Sequence, residues 1–278
     1  MICALPFMML VPVLPGMNPT AEEIMCRVAE NQRRAQVART AYVYDMNVCV
    51  RLQRANGELA REESREYVVA PTARGAERKL VKVEGKVREG KQEIPYSDPK
   101  YRTKHMDVDG SLTETFANEI MWKEKNNGPT VDWFPLVAER QKNSTFTLEG
   151  EERYRDFDVY KIAWQGHDED DECWTGEALI EKNEFQPVLV TASWNCKIPR
   201  AVKIMLGINL TQLGVKITYQ RFARDVWFPV SCGGELKLRV LFLYARTIAF
   251  RARNSDFRKA DVQTSIEFEP ATKQASPW

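Results

Sequence analysis

The stretch AYVYDMNVCVRLQ, residues 41–53, alternates apolar and polar side chains with a period of two. Because successive side chains of a strand point to opposite faces, this alternation predicts one long strand with a single buried face. Asn56 and Gly57 follow directly, and this dipeptide predicts a tight hairpin turn into a second, more polar strand at residues 58–69. The apolar residues of the first strand are Tyr42, Tyr44, Met46, Val48, Val50 and Leu52.

The segment before this strand, residues 19–38, has the pattern of an amphipathic helix. Thr20 and Glu23 have the spacing of a capping box, which satisfies backbone N–H groups at a helix start. Ile24, Val28 and Ala35 fall on one helical face, opposite charged residues. The sequence therefore predicts a first helix that lies against the sheet.

A second helix is predicted within GSLTETFANEIMWKEKNNG, residues 110–128. Ser111 and Glu114 form a capping pair, and Asn126 to Gly128 supply the stop. Leu112, Phe116 and Ile120 recur every four residues and form an apolar stripe that can face the sheet. Residues 129–140 are expected to form an irregular or short helical linker.

Strand patterns resume near residue 144 and continue almost to the end of the chain. We expect a turn centred on Gly150, a hairpin tip at residues 182–187, and a strand start or sheet edge at Phe228 and Pro229. The count is ten or eleven strands with two or three helices. The predicted fold is therefore mainly β (α+β): a single curved antiparallel sheet forming an incomplete barrel, covered by the helices.

The hairpin at residues 174–194 has two possible registers. One places Trp174 opposite Trp194, Ala178 opposite Val190, and Ile180 opposite Val188, so that apolar side chains meet. The other places Cys173 opposite Cys196 and mixes the faces, because a slip of one residue turns every side chain over. The apolar match favours the first register and disfavours a disulfide between these cysteines.

The segment KIPRAVKIMLGINLTQLG, residues 197–214, interrupts the strand pattern. Pro199 suits a first helical turn, and Gly207 weakens or ends the helix. The segment is apolar on more than one side, whereas a helix packed on a sheet needs one apolar stripe. We expect it either to cap the barrel mouth and contact lipid, membrane or a partner, or to be a buried plug. The residues concerned are Ile204, Met205, Leu206 and Ile208.

Composition narrows the functional classes. The chain has 278 residues with 40 Lys plus Arg and 39 Asp plus Glu, so the basic surface of a nucleic-acid-binding protein is absent. Residues 2–14 form an apolar run that resembles a secretory signal and is too short to span a bilayer. We expect a signal segment at residues 1–18, one domain at residues 19–278, and export as a soluble protein to the periplasm or beyond.

Features for catalysis or metal binding are sparse. The two histidines, His105 and His167, lie in polar contexts, and the sequence has neither a G-x-S-x-G elbow nor a glycine-rich phosphate loop. The acidic run HDEDDECW, residues 167–174, lacks calcium-loop spacing and is interpreted as a hairpin tip. SCGGEL, residues 231–236, is interpreted as a strand bulge or kink. We therefore expect no catalytic residues, no metal ligands, no cofactor and no enzymatic activity.

The order of these elements resembles the outer-membrane lipoprotein-sorting superfamily of LolA/LolB-type periplasmic carriers. The likeness covers residues 19–268 and rests on the first helix, the long alternating strand, and a hairpin of the form W-x12-P-V-x-V at residues 174–190. The resemblance implies an incomplete barrel lidded by helices, with an apolar cavity for the acyl chains of lipids or lipoproteins. Some relatives with this fold sense envelope stress instead.

The resemblance assigns roles to the apolar residues already named. Tyr42, Tyr44, Met46 and Val48 would line the cavity wall, and Leu112, Phe116 and Ile120 would face them from a lid helix. Partners would be lipid or lipoprotein acyl chains, with an envelope membrane or membrane protein as a further contact. Two alternatives stay open: a packed barrel that binds a protein partner, and a hydrolase that uses buried carboxylates.

Overall fold

The computed structural model describes residues 18–72, 75–103, 107–120, 134–167, 174–194, 208–223, 226–240 and 244–260. Within them lie three α-helices, one π-helical turn and eleven strands. The helices are α1 (Ala21–Arg39), α2 (Val108–Thr115), which continues into the π turn (Phe116–Ile120), and α3 (Ala138–Gln141). The strands are β1 (Tyr42–Arg54), β2 (Leu59–Thr72), β3 (Gly75–Glu89), β4 (Gln92–Tyr96), β5 (Ser144–Tyr154), β6 (Phe157–Gly166), β7 (Trp174–Glu181), β8 (Pro187–Trp194), β9 (Ile208–Ala223), β10 (Val226–Val240) and β11 (Tyr244–Lys259).

All described strands belong to one antiparallel sheet in the order β4-β3-β2-β1-β11-β10-β9-β8-β7-β6-β5. The pairing of β1 with β11 joins the first and last strands, so β1 lies inside the sheet and β4 and β5 lie at its edges. Among the described strands, β4 and β5 do not pair with each other, so the sheet they bound is open. The predicted fold class is confirmed: one open, mainly-β antiparallel sheet with eleven strands and, in the described residues, three helices.

Helix α1 packs along the inner face of the sheet, as its periodicity predicted. The capping box is present, since the Thr20 N–H donates to Glu23 Oε2 at 2.9 Å and the Glu23 N–H donates to Thr20 Oγ1 at 3.2 Å. Ile24, Met25 and Val28 are at most 1% exposed and belong to the same apolar core as β1. This helix therefore removes much of its own apolar stripe and of the sheet's inner face from water.

The predicted start of the second helix is wrong. Helix α2 begins at Val108, and its N-cap is Asp107, whose Oδ1 accepts the Gly110 N–H at 2.7 Å. Ser111 lies inside the helix, and Glu114 pairs with Arg102 instead of completing a capping box. An aspartate is as good a cap as a serine, so local propensity does not distinguish the two starts. The predicted stop at residues 126–128 lies outside the described residues.

Two further predictions in the strands are wrong. Gly150 does not form the turn after β5: it sits inside the strand beside a bulge, and the turn lies at Arg155, whose φ is 54°. Pro229 does not start β10, which begins at Val226; it occupies a register shift within the strand. Proline lacks a backbone N–H and is tolerated inside a sheet where a bulge has already interrupted the hydrogen-bond ladder.

The apolar register of the β7–β8 hairpin is confirmed. Trp174 pairs with Trp194 and Ala178 with Val190, while a bulge after Leu179 places Ile180 opposite Pro187 instead of Val188. Cys173 and Cys196 lie outside the described residues. In the described part of the chain, the cysteines are unpaired: Cys26, Cys49 and Cys232.

Strand β9 begins at Ile208, which pairs with Val240, six residues before the predicted strand start at Gly214. The preceding residues, including Ile204, Met205 and Leu206, lie outside the described part of the chain.

The glycines of SCGGEL explain a close approach of β9 and β10. A Cβ on Gly234 would lie 2.1 Å from the carbonyl oxygen of Gly214, so no larger residue fits without movement.

Candidate functional site

The inner faces of β1 and β11 form one apolar wall. Met46, Val48, Val50 and Leu52 are at most 1% exposed, and Tyr44 is buried as well, while Tyr42 is half-buried at the strand start. The partner strand contributes side chains opposite them: Ala252 beside Val48, Phe250 beside Val50, and Ile248 beside Leu52. The predicted wall residues thus share one surface with residues of β11 that sequence reasoning did not name.

Residues 108–120, which we call the lid, cover part of this wall. Phe116 is buried, with its ring centre 5.4 Å from that of Phe250, and Ala117 is 1% exposed. Leu112 is partly buried against the same core. Ile120 ends the π turn, and its side chain is outside what the structure describes. The structure therefore packs Leu112 and Phe116 against the sheet, as their spacing indicated.

The middle of the inner face of β2 is polar. Arg61, Glu63 and Arg65 stand at alternate positions of this strand and are 0%, 2% and 4% exposed. The Arg61 guanidinium donates from Nη1 to Asp107 Oδ2 at 2.8 Å, from Nε to the Tyr96 hydroxyl at 2.8 Å, and from Nη2 to the Tyr101 carbonyl at 3.0 Å. Arg61 therefore joins the N-cap of the lid to the sheet.

Glu63 completes this cluster. Its Oε1 accepts from Arg65 Nε at 2.5 Å, its Oε2 accepts from the Tyr96 hydroxyl at 2.7 Å, and Oε2 lies 3.7 Å from Arg61 Nη2. Burial, and then the adjacent Glu63 carboxylate, raise the pKa of Tyr96, so its hydroxyl stays a hydrogen-bond donor. Both oxygens of the buried carboxylate are satisfied, which is the condition for a buried charge to be tolerated.

A second anchor holds the first turn of the lid. Asp109 accepts from Arg246 Nε at 2.8 Å and from Arg246 Nη2 at 2.9 Å, and the Tyr244 hydroxyl also donates to it. Burial and the Asp109 carboxylate raise the pKa of Tyr244. We call the pairs Arg61–Asp107 and Arg246–Asp109 the latch. A bidentate arginine–carboxylate contact is geometrically specific, so the latch sets where the lid begins on the sheet.

The far end of the lid is also held by arginines. Arg65 Nη1 donates to Asn118 Oδ1 at 3.1 Å, and Arg78 donates to the backbone carbonyls of Ala117 and Asn118 at 2.9 Å and 3.2 Å. These bonds satisfy carbonyl groups that a helix terminus leaves without partners. The lid therefore combines a small apolar underside with polar attachments at both ends.

The thiol in SCGGEL is not arranged as a nucleophile. Cys232 is 8% exposed within β10, and burial raises the pKa of its thiol to about 12. A catalytic cysteine needs the thiolate at neutral pH, which requires the opposite pKa shift. The interpretation of this motif as a strand irregularity is confirmed, since a register shift follows at Glu235.

Thiol labelling checks this assignment. At pH 8, we expect exposed Cys26 to react with a maleimide at least about a thousandfold faster than Cys232, whose thiolate fraction is very small. Peptide mass spectrometry of timed samples measures both sites in one reaction, and addition of denaturant is the control that should equalise them. Comparable rates in the folded protein would contradict the buried placement of Cys232.

Other features of the described residues do not add a reactive centre. No group of three His, Cys, Asp or Glu side chains in that part of the chain could hold a metal ion. The acidic run after His167 continues into residues 168–173, which the structure does not describe. Among the helices described, none has both the length and the apolar character required to cross a bilayer.

Comparison with known proteins gives similarity in fold. No protein-family model matches the sequence, and no curated protein matches it. A LolA superfamily protein from Nitrosomonas europaea is similar with a TM-score of 0.34 and 11% identity, over 88% of this chain and 96% of that one. An outer membrane lipoprotein-sorting domain from Vibrio parahaemolyticus has a TM-score of 0.39 and 10% identity, over 89% and 95%. A DUF1329 family protein from Desulfovibrio piger has a TM-score of 0.35 and 10% identity, over 89% and 96%.

The first two of these solved structures carry the names of the superfamily that the sequence resembles.

Proposed function

We propose that this protein binds the acyl chains of a lipid or lipoprotein between the lid and the apolar wall of β1 and β11. The observation that carries the proposal is the construction of the lid, whose apolar underside is small while its ends are attached by hydrogen bonds and ion pairs. The partly exposed pair Arg246–Asp109 can exchange its partners for water as the lid lifts, whereas a fully apolar helix face could not separate without a large hydrophobic cost.

The driving force for binding is the removal of the acyl chain from water, about 0.8 kcal/mol per methylene. Lifting the lid exposes Phe116 and Ala117 and uncovers Phe250, and an acyl chain of sufficient length replaces those contacts. No cofactor and no covalent step are required. Tyr42, Tyr44, Met46 and Val48 act as wall, and Leu112, Phe116 and Ile120 as lid, in this proposal.

The remaining assignments belong to the same proposal. Residues 19–278 form one domain, residues 1–18 are a signal segment, and the mature protein works in the periplasm or outside the cell. Ile204, Met205, Leu206 and Ile208 cap the mouth or contact an envelope membrane or a membrane-protein partner. A carrier that delivers cargo to a membrane needs such a contact close to its opening.

The alternative is a packed barrel that acts through its surface. It is favoured by the burial within β6, β7 and β8, where Ile162, Ile180 and Val190 have 0% exposure. Such packing leaves no room for a ligand among these three side chains.

A hydrolase is not proposed, because arginines engage the buried carboxylates Glu63 and Asp107. The buried carboxylate of Glu181 accepts hydrogen bonds from Asn183 and from the Glu184 N–H.

Mass spectrometry of organic extracts distinguishes lipid binding from the packed barrel. We expect the purified protein to retain phospholipid or fatty acid at a substantial molar fraction, and the delipidated protein to bind a fluorescent fatty acid that unlabelled lipid displaces. A soluble protein of similar size prepared from the same cells is the control for carry-over. An extract without lipid, together with no probe binding, would refute lipid binding and leave the packed barrel.

A further inference from the structure

The two edges of the sheet are protected to different degrees. Strand β4 is five residues long and contains Pro95, which has no N–H to offer a neighbouring chain. The second half of β5 has a bulge at Gly150 and four charged residues: Glu149, Glu151, Glu152 and Arg153. Short length, proline, bulges and charges are the devices that keep sheet edges from pairing with other chains.

The first half of β5, residues 144–148, has none of these devices. Its sequence is Ser-Thr-Phe-Thr-Leu, without charge, proline or bulge. The His167 N–H donates to the Asn143 carbonyl at 3.0 Å, so odd-numbered residues here exchange bonds with β6. Because antiparallel ladders alternate, the backbone groups of Ser144, Phe146 and Leu148 point away from the sheet. None of them bonds to another described segment.

Open space lies on both sides of this bare edge. A hollow of about 440 Å³ adjoins the inner side, where its lining includes Met25, Ala138 and Phe146. A groove of about 490 Å³ runs over the outer side from Thr145 and Thr147 towards β8. A strand added beside residues 144–148 would therefore find room for side chains on either face.

We infer that residues 144–148 pair antiparallel with the same residues of a second copy of this chain. Centring the pairing on Phe146 puts Phe146 opposite its counterpart, at the inner hollow. Thr145 of one copy then faces Thr147 of the other on the outer side, and cross-strand threonine pairs are favourable. The six outward N–H and C=O groups of each strand satisfy those of the other.

The flanking charges agree with this register. Lys142 is exposed just before β5, and the pairing brings its backbone beside Gly150 of the other copy, between Glu149 and Glu151. Those carboxylates have lysines of their own, Lys161 at 2.9 Å from Glu149 and Lys182 beside Glu151, so the added attraction is modest. No like charges meet, which is the requirement for two identical strands to associate.

A second copy fits this edge better than a foreign peptide because the central Thr-Phe-Thr is its own complement under two-fold rotation. An isologous contact closes at two subunits, so the pairing itself does not extend into a longer assembly. Five paired residues make a small interface, so we expect a weak dimer that forms at high protein concentration.

Sedimentation velocity over a concentration series tests the pairing. We expect wild-type protein to shift from monomer to dimer as its concentration rises. Thr145 and Thr147 are exposed, so replacing both leaves the core intact. The T145K/T147K variant and the T145E/T147E variant should each associate about tenfold more weakly, because like charges then face each other across the dyad. An equimolar mixture of the two variants should form a heterodimer.

A self-complementary control sharpens this test. T145E/T147K has the same number of substitutions but places glutamate opposite lysine in the proposed register, so it should dimerise at least as well as wild type. Circular dichroism spectra that match wild type show that each variant is folded. A wild-type protein that stays monomeric, equal association by all variants, or a mixture that fails to pair would each overturn the inference.

Discussion

Replacing Arg61 with methionine is expected to lower the free energy of unfolding by about 3–5 kcal/mol, the range for removing one partner of a buried ion pair. Arg61 is fully buried and holds Asp107, Tyr96 and the Tyr101 carbonyl at once. Methionine keeps much of the side-chain volume, so the loss reports the charge and its hydrogen bonds more than a cavity. It also leaves the Asp107 carboxylate buried without its cation.

Urea denaturation followed by circular dichroism measures this loss, and Arg51→Met is the matched control. Arg51 lies on the neighbouring strand, is half exposed, and pairs with Glu62 at 3.8 Å. Exposed pairs of this kind contribute about 0–1 kcal/mol. If both variants lost the same small amount, the cluster around Arg61 would not stabilise the fold, and the description of the latch as a structural anchor would be wrong.

The fold followed from the sequence where one periodic signal dominated. In β1, every second residue from Tyr42 to Leu52 is apolar, and all but Tyr42 are buried. The capping box of α1 and the tryptophan register of β7–β8 were likewise predicted correctly, because each depends on residues close together in the chain. Local patterns of this kind determine the local backbone structure with little help from distant residues.

Only part of the candidate site could be predicted from the sequence. The spacing of Leu112 and Phe116 placed them on a helix that faces the sheet, whereas Arg61, Glu63 and Arg65 sit in a strand with charges at both odd and even positions. Such a strand does not reveal which of its faces is buried. The partners that make burial of Arg61 possible follow 35 residues later at Tyr96 and 46 residues later at Asp107. One feature of the sequence did point to this buried cluster. Arginine and glutamate alternate at every second position in the middle of β2, which follows an apolar strand.

The two pairs of the latch lie in different places, so variants of Arg61 and of Asp109 change different properties. Arg61 acts inside the sheet, so its loss affects overall stability, while Asp109 lies on the lid itself. The pair formed by Asp109 and Arg246 is 17% and 16% exposed, and it does not cap the helix. Changing Asp109 therefore loosens the lid without unfolding the strands beneath it.

The variant Asp109→Ala is expected to raise the population of the open lid by about ten- to hundredfold. Hydrogen bonds to a charged partner contribute about 1.5–3 kcal/mol, and alanine carries no helix-propensity penalty. Amide hydrogen exchange in residues 110–117 should accelerate by this factor, and uptake of a fluorescent fatty acid should accelerate with it if the lid covers the binding site.

Asp45→Ala is the control for this variant, because Asp45 pairs with Arg258 at 2.9 Å on the surface and both side chains are about half exposed. It should leave exchange and uptake close to wild type. Unchanged exchange in the lid of Asp109→Ala would show that the latch does not hold it. Faster exchange without faster uptake would show that the lid opens onto no lipid site, and would favour the packed barrel because opening alone would then bring no ligand in.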